Sequence, residues 1–91
     1  MVFQYVILFN SDRELATTIH EASSLYTINK IVDGEGYGHV YDNLRRPISK
    51  YRLKQLQAID NKSYEFDLSK YIDFNSECNV NSSILEQFKQ I

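Results

Sequence analysis

The sequence predicts a small single α+β domain with a ferredoxin-like β-α-β-β-α-β order of elements and an added C-terminal helix. The chain has 91 residues, of which 43% are apolar and 24% charged, so it is long enough for one domain with one modest core. Residues 6–9 form a continuous apolar run, which is typical of a strand that is covered on both faces. Stretches with helical spacing alternate with stretches rich in β-branched and aromatic residues, which indicates an α+β class.

The first half of the chain is expected to form a strand, a helix and a hairpin. Ser11 and Glu14 have the spacing of a capping box, in which each side chain bonds to the other residue's backbone amide. Asp33 and Gly34 supply turn chemistry between two stretches of strand-forming residues. The predicted elements are a central strand at residues 6–9, a helix at about 12–25, and a hairpin of residues 26–32 and 37–41.

The second half is expected to form a helix, a strand and a terminal helix. Pro47 suits the first turn of a helix, and residues 64–68 alternate strictly between apolar and charged side chains. Ser83 and Glu86 repeat the capping-box spacing. The alternative for residues 48–58 is a strand, which would give a mostly β topology. The predicted elements are a helix at about 47–59, a strand at 64–68 and an amphipathic helix at 84–91.

The predicted domain organisation is an α+β core, a polar loop and a terminal helix that packs on the core. Asn and Ser dominate the loop, and such side chains compete with regular backbone hydrogen bonding. The sheet face opposite the first two helices is either free or covered by the terminal helix, with Phe88 and Ile91 meeting Tyr5 and Tyr41. The boundaries are 1–74 for the core, 75–83 for the loop and 84–91 for the helix.

Composition narrows the class of protein. No apolar stretch is long enough to span a membrane, and the opening residues do not have the pattern of a secretory signal, so we expect a cytoplasmic protein without a membrane partner. The single cysteine, Cys78, agrees with a reducing compartment. His20, His39 and Cys78 have neither zinc-ligand spacing nor the spacing of a nucleophile with its base. We therefore expect no enzymatic activity, no cofactor and no metal.

Three glycines, Gly34, Gly36 and Gly38, come close together before a predicted strand. Spaced glycines allow a backbone to approach a phosphate, but this spacing does not match the dinucleotide-binding pattern. A tight hairpin that needs positive φ angles is the favoured interpretation, with anion binding as the alternative.

The predicted strand at residues 37–41 carries an aromatic face. Strand alternation places Tyr37, His39 and Tyr41 on one side. The segment resembles the third-strand signature of RNA-recognition-motif domains at Gly36, Tyr37, Gly38 and Val40. It departs from that signature at Glu35, His39 and Asp42. Residues 6–10 resemble the companion signature of the first strand, although Ile7 stands where the family has a stacking aromatic residue.

This resemblance implies single-stranded nucleic-acid binding on the sheet face. Tyr37 and His39 would stack on splayed bases, and Tyr41, Tyr5 and Phe9 would extend the platform. The other two expectations for this face are that the C-terminal helix packs on it or that it is an exposed protein-binding surface.

Half of the basic residues lie in one short segment. Arg45, Arg46, Lys50, Arg52 and Lys54 place five of the ten Lys and Arg residues within ten positions. Such a patch would contact phosphates or an acidic protein surface, unless it is simply the solvated face of a helix. Lys50 and Lys54 lie on one side of the predicted helix and Arg52 on another.

These observations favour a non-enzymatic binding protein. Seven Tyr and five Phe in a short chain without site chemistry favour protein–protein recognition, because aromatic residues are common interface anchors. The profile fits a regulator or inhibitor of the compact kind carried by phages and mobile elements, and anti-CRISPR and anti-restriction proteins are among the classes it admits. The alternative is single-stranded nucleic-acid (RNA) binding through the sheet face and the basic helix. Homodimerisation through a free sheet face or edge strand is a further hypothesis.

Overall fold

In the part of the chain that the structure describes, an antiparallel four-stranded sheet and three helices form a small α+β domain. The computed structural model describes residues 4–9, 15–60, 64–73 and 80–90, with the backbone alone at 89 and 90. The strands are β1 (Gln4–Leu8), β2 (Thr18–Ala22), β3 (Gly38–Tyr41) and β4 (Pro47–Ile48). The helices are α1 (Leu25–Glu35), α2 (Lys50–Asp60) and α3 (Ser82–Gln90), and a 3-10 turn covers Leu68–Lys70. The strand order in the sheet is β2-β1-β3-β4, and each neighbouring pair is antiparallel.

The ferredoxin-like order is not confirmed. The described chain runs β-β-α-β-β-α-α, so two hairpin-like strand pairs flank α1 where the prediction had two strand-helix-strand units. The prediction for residues 6–9 is confirmed for β1, which lies between two other strands and has both of its faces buried.

Strand β2 lies within the region predicted as a helix at residues 12–25, so that prediction is wrong there. The β-branched Thr18 and Ile19 favour extended backbone, and β2 pairs along its whole length with β1. The Ser11 and Glu14 capping box, which suggested the earlier helix start, lies outside the described residues.

Helix α1 replaces the predicted strand at residues 26–32, which is also wrong. The helix starts after Ser24, whose hydroxyl accepts a hydrogen bond from the Thr27 amide at 3.2 Å. Ile28 and Val32 are four residues apart and are both buried, so the β-branched residues that resembled a strand form one buried helical face. The expected hairpin is therefore a helix followed by β3.

Helix α2 confirms the predicted helix at residues 47–59 from Lys50 onward. Pro47 and Ile48 form the short edge strand β4, where a proline is tolerated because its missing amide faces away from the neighbouring strand. The alternative of a strand at 48–58 is wrong for the residues that follow Ser49.

The predicted strand at residues 64–68 is irregular in the structure. The Gln57 side-chain amide donates to the Tyr64 carbonyl, and its oxygen accepts a hydrogen bond from the Phe66 amide at 3.4 Å. The Gln57 side chain thus occupies backbone groups that would otherwise bond to a neighbouring strand. The alternation of apolar and charged residues at 64–68 is therefore not sufficient to form a strand.

The C-terminal helix is confirmed, although α3 starts two residues before the predicted range of 84–91. Its cap is Asn81, whose side-chain oxygen accepts a hydrogen bond from the Ser83 amide at 2.9 Å. Residues 75–79 of the predicted polar loop and Ile91 lie outside the described residues. The division into core, loop and helix stays a prediction.

The sheet carries a buried cluster on each face, because the side chains of β1 alternate between them. Val6 and Leu8 face α1, whereas Tyr5 and Ile7 face α3. The α1-side core contains Val6, Leu8, Ala22, Ile28, Val32, Val40, Leu53 and Tyr71. The α3-side core contains Tyr5, Ile7, Ala16, Tyr41 and Phe88.

Two of the three clustered glycines have structural roles. Gly36 has φ 101° and ends α1, where its amide bonds to the Val32 carbonyl at 2.7 Å. A Cβ on Gly38 would lie 2.9 Å from Leu8 Cδ2 and 3.0 Å from Val6 Cγ1. The glycines therefore end a helix and admit a close contact between strands, in place of the predicted hairpin turn.

The close contact at Gly38 predicts that Gly38→Ala lowers the free energy of unfolding by about 1 to 3 kcal/mol, because the added methyl group overpacks the α1-side core. Gly34→Ala is the matched control. Gly34 lies inside α1 with no neighbouring atom within 4 Å of an added Cβ, so the substitution should stabilise by about 0.5 to 1 kcal/mol. Urea unfolding monitored by circular dichroism measures both, and equal effects of the two substitutions would contradict the packing at β3.

Candidate functional site

The predicted aromatic face of the sheet is present, but it is largely buried. His39 and Tyr41 lie on the same face of β3, as alternation predicts, and both are buried. Tyr37 comes just before β3 and is half-buried. Two of the three side chains of this predicted face, His39 and Tyr41, are thus inside the protein.

The α3-side core supplies the partners of these rings. The Phe88 ring of α3 lies edge-on to Tyr41, with 4.7 Å between centroids, and edge-on to Tyr5 at 6.1 Å. The His39 ring stacks on Phe9 at 5.2 Å with 27° between the ring planes. For Phe88, these contacts agree with the alternative in which the terminal helix packs on the sheet.

Burial controls the ionisation of His39. Burial lowers the pKa of His39 below its usual value, while a hydrogen bond with the Ile72 backbone and the charge of Asp73 partly oppose the shift. The neutral imidazole is therefore favoured in the folded protein. His20 lies on the other face of the sheet, with its Nε2 atom 3.7 Å from Glu35, so the fold does not bring the two histidines together. Cys78 lies outside the described residues.

Arg45 and Arg46 organise the turn between β3 and β4. Arg45 has φ 60°, donates from Nε to the Phe88 carbonyl and has its guanidinium 5.9 Å from the Phe88 ring. Arg46 Nε lies 2.8 Å from an oxygen of Asp42. This turn therefore ties the C-terminal helix to the sheet through Arg45.

Asp42 is the centre of the turn. Its Oδ1 atom accepts hydrogen bonds from the amides of Leu44 at 2.8 Å and Arg46 at 2.9 Å. Burial alone would raise the pKa of Asp42, but these hydrogen bonds and the Arg46 charge outweigh it and lower the pKa.

The remaining basic residues of the segment lie on α2 and form what we call the basic face of α2: Lys50, Arg52 and Lys54. Ser49 precedes the helix, and its hydroxyl accepts a hydrogen bond from the Arg52 amide at 3.1 Å. The Asp73 carboxylate accepts one from the Lys50 amide at 2.9 Å. Arg52 and Lys54 are exposed, and Lys50 is half-exposed. The predicted site residues are thus divided between the buried sheet face, the β3–β4 turn and α2.

Helix α2 leaves two of its large apolar side chains in solvent. Leu53 is its only buried residue, whereas Tyr51 is 73% exposed and Ile59 is 76% exposed. The apolar positions of α2 do not follow a single helical stripe, and this lack of amphipathic spacing was a signal of exposure.

An open groove of about 460 Å³ lies between the start of α1 and the end of α2. Leu25, Leu56 and Ile59 give it an apolar lining, and the polar residues are Gln4, Ser23, Ser24 and Asp60. We call this the α1/α2 groove. Sequence reasoning missed it because its lining comes from segments about thirty residues apart.

Two tyrosines connect the same parts of the chain. Tyr26, which is 49% exposed, packs on Tyr64 with 5.6 Å between ring centroids. The Tyr64 hydroxyl donates to Asp60 at 2.8 Å. Burial and this bond raise the pKa of Tyr64 to about 12, so its hydroxyl stays protonated at neutral pH. The start of α1 and the end of α2 are therefore joined through Tyr64.

Within the described ranges, no helix is long and apolar enough to cross a membrane. The same residues contain no group of three or more His, Cys, Asp or Glu side chains that could hold a metal ion. Comparison of the chain with protein-family models, curated proteins and solved structures finds no match.

The burial of His39 predicts a stability that depends on pH. Its pKa is lower in the folded than in the unfolded chain, so the unfolded chain binds the proton first as the pH falls. The free energy of unfolding should therefore decrease below about pH 6.5, by at most about 1.4 kcal/mol per pH unit, until the folded-state pKa is reached. Urea unfolding between pH 7.5 and 5 would measure this slope.

His39→Phe is the comparison variant, because it keeps a ring on Phe9 and removes the titrating group. Its free energy of unfolding should decrease less steeply over the same pH range. Both proteins retain His20, so the difference between their slopes isolates His39. Identical slopes in the two proteins would contradict the burial of a neutral imidazole.

Proposed function

We propose that the chain is a non-enzymatic binding protein that acts through protein–protein recognition, with the α1/α2 groove at the centre of the interface. The observation that carries this proposal is the exposure of Ile59 beside Leu56 and Leu25. A side chain of this size contributes about 1.5 to 3 kcal/mol when it becomes fully buried, so an apolar partner group in the groove would gain affinity directly.

The surroundings of the groove have the composition of a protein interface. Tyr26 and Tyr64 offer amphipathic rings at one side, and tyrosine is a frequent anchor of protein interfaces. Ser23, Ser24 and Asp60 place polar groups around the apolar residues. The expected partner surface therefore presents an apolar side chain surrounded by hydrogen-bonding groups.

The groove is held by contacts that do not depend on a partner. Tyr64 joins Tyr26 to Asp60, and Gln57 bonds to the backbone on both sides of Glu65. Pre-formed surfaces lose less conformational entropy on binding than mobile ones. This supports the groove as the recognition surface in preference to the sheet face, where α3 covers Tyr41 and Tyr5.

The biological role that we propose for this recognition is regulation or inhibition of the bound protein in the cytoplasm. A compact inhibitor from a phage or mobile element, of the anti-CRISPR or anti-restriction kind, is the specific form suggested by the short aromatic chain. A second copy of the chain is the competing occupant of the groove, and the experiment below separates the two.

Ile59→Ser should reduce capture of the protein partner at least about tenfold, which corresponds to a loss of about 1.4 kcal/mol. Leu44→Ser is the matched control, because Leu44 is also an exposed aliphatic residue, 62% accessible, but lies in the β3–β4 turn. The measurement is affinity capture from nuclease-treated lysate of the source cells, quantified by mass spectrometry, with circular dichroism to verify folding.

Stoichiometric capture by the wild type and by Leu44→Ser, with loss in Ile59→Ser, is the expected result. Equal capture by both variants would remove the groove from the interface. Self-association of the wild type in light scattering that Ile59→Ser abolishes, without any captured partner, would replace the proposal by a homodimer.

A further inference from the structure

The cations in the described part of the chain differ in what they contact. Four of them are engaged by groups of the protein itself: Arg45 by the Phe88 carbonyl, Arg46 by Asp42, Lys70 by Asp33 and Lys30 by the Tyr26 ring. The other three form the basic face of α2, and no described carboxylate lies within 4.0 Å of their charged groups. Arg52 Nη1 donates to the neutral Gln55 Oε1 at 3.5 Å within the same helix. Three cations that lack a described carboxylate partner are therefore collected on α2.

An exposed tyrosine lies within this group of cations. At 100° per residue, Lys50 and Lys54 share one side of α2, Arg52 lies on the other side, and Tyr51 projects between Lys54 and Arg52. Tyr51 is 73% exposed. The helix contains no acidic residue before Asp60 at its end. The Asp73 carboxylate, outside the helix, accepts a hydrogen bond from the backbone amide of Lys50.

We propose that the basic face of α2 and Tyr51 form a binding surface for single-stranded nucleic acid. Arg52, Lys54 and Lys50 would contact backbone phosphates, and Tyr51 would stack on one base. The positive charge of the surface favours a polyanion. The Tyr51 ring between two cations favours single strands, because their bases are free to stack on it, whereas the bases of a duplex are paired. This binding goes beyond the proposed protein recognition and uses a different part of α2.

The number of cations sets the expected salt dependence. Three phosphate contacts on a single strand give a slope of about −2 for the logarithm of affinity against the logarithm of salt concentration. The affinity should then fall roughly 20-fold between 50 and 200 mM salt. Loss of the Arg52 and Lys54 charges leaves one phosphate contact, and the affinity should then fall only roughly 3-fold over the same salt range.

The experiment is fluorescence anisotropy with labelled twelve-nucleotide dT and U strands and a duplex of the same length, at 50 and 200 mM salt. Arg52→Gln/Lys54→Gln should weaken binding of the single strands at least about tenfold at 50 mM and flatten the salt dependence. The control is Lys30→Gln/Lys70→Gln, which removes the same charge from cations outside the surface and should bind as the wild type does. Tyr51→Ala should lose at least about fivefold, whereas Tyr51→Phe should keep the affinity.

Two results would overturn the proposal: no binding of either strand at 50 mM salt, or equal losses in the two double variants. Tighter binding of the duplex with no effect of Tyr51→Ala would overturn it as well. Comparison of the dT and U strands decides between DNA and RNA. Because the probes contain no protein, failure here leaves the groove proposal standing. Salt-sensitive capture of a protein by the same cations, without oligonucleotide binding, would assign the basic face to an acidic protein instead.

Discussion

Strand β1 is buried on both faces, and the positions of the other elements follow from this double burial. Val6 and Leu8 require cover from α1, whereas Tyr5 and Ile7 require it from α3. Each such side chain contributes about 1.5 to 3 kcal/mol to the free energy of unfolding when it is fully buried. Loss of either α1 or α3 from the sheet would therefore expose several apolar side chains to solvent at once. The aromatic face of the sheet is therefore part of the core, and Arg45 adds a hydrogen bond that holds α3 against it.

Helix α2 is placed differently, because it combines little apolar burial with several polar contacts. Leu53 is its one buried residue, and Asp73 and Gln57 attach it to the segment that follows. A helix held in this way can leave both cations and apolar side chains in solvent. Ile59 then borders the α1/α2 groove near one end, and the basic face lies near the other. Both proposed binding surfaces depend on this sparse burial of α2.

The sequence predicted those elements whose signals are local. The apolar run was sufficient to predict β1, and the amphipathic spacing was sufficient to predict α3. Most of α2 was also predicted, from the proline at its start and the residues that follow. The helix α1 was not predicted, because β-branched residues at helical spacing also satisfy a strand pattern, and only the packing of Ile28 and Val32 decides between them. Alternation identified the shared face of His39 and Tyr41, but the burial of Tyr41 depends on Phe88, which is more than forty residues away. Long-range contacts of this kind leave no local pattern.

The sheet face belongs to the core, and the recognition that we propose uses the α1/α2 groove and the basic face of α2 in its place. Nuclear Overhauser effects between the Phe88 ring and the rings of Tyr5 and Tyr41 distinguish these surfaces, because the ring centroids are 6.1 and 4.7 Å apart. The structure predicts that these effects are present in the free protein and persist when the dT strand or the captured protein is bound. Their disappearance on binding, together with shifts at His39 and Tyr41, would contradict the proposed use of these surfaces.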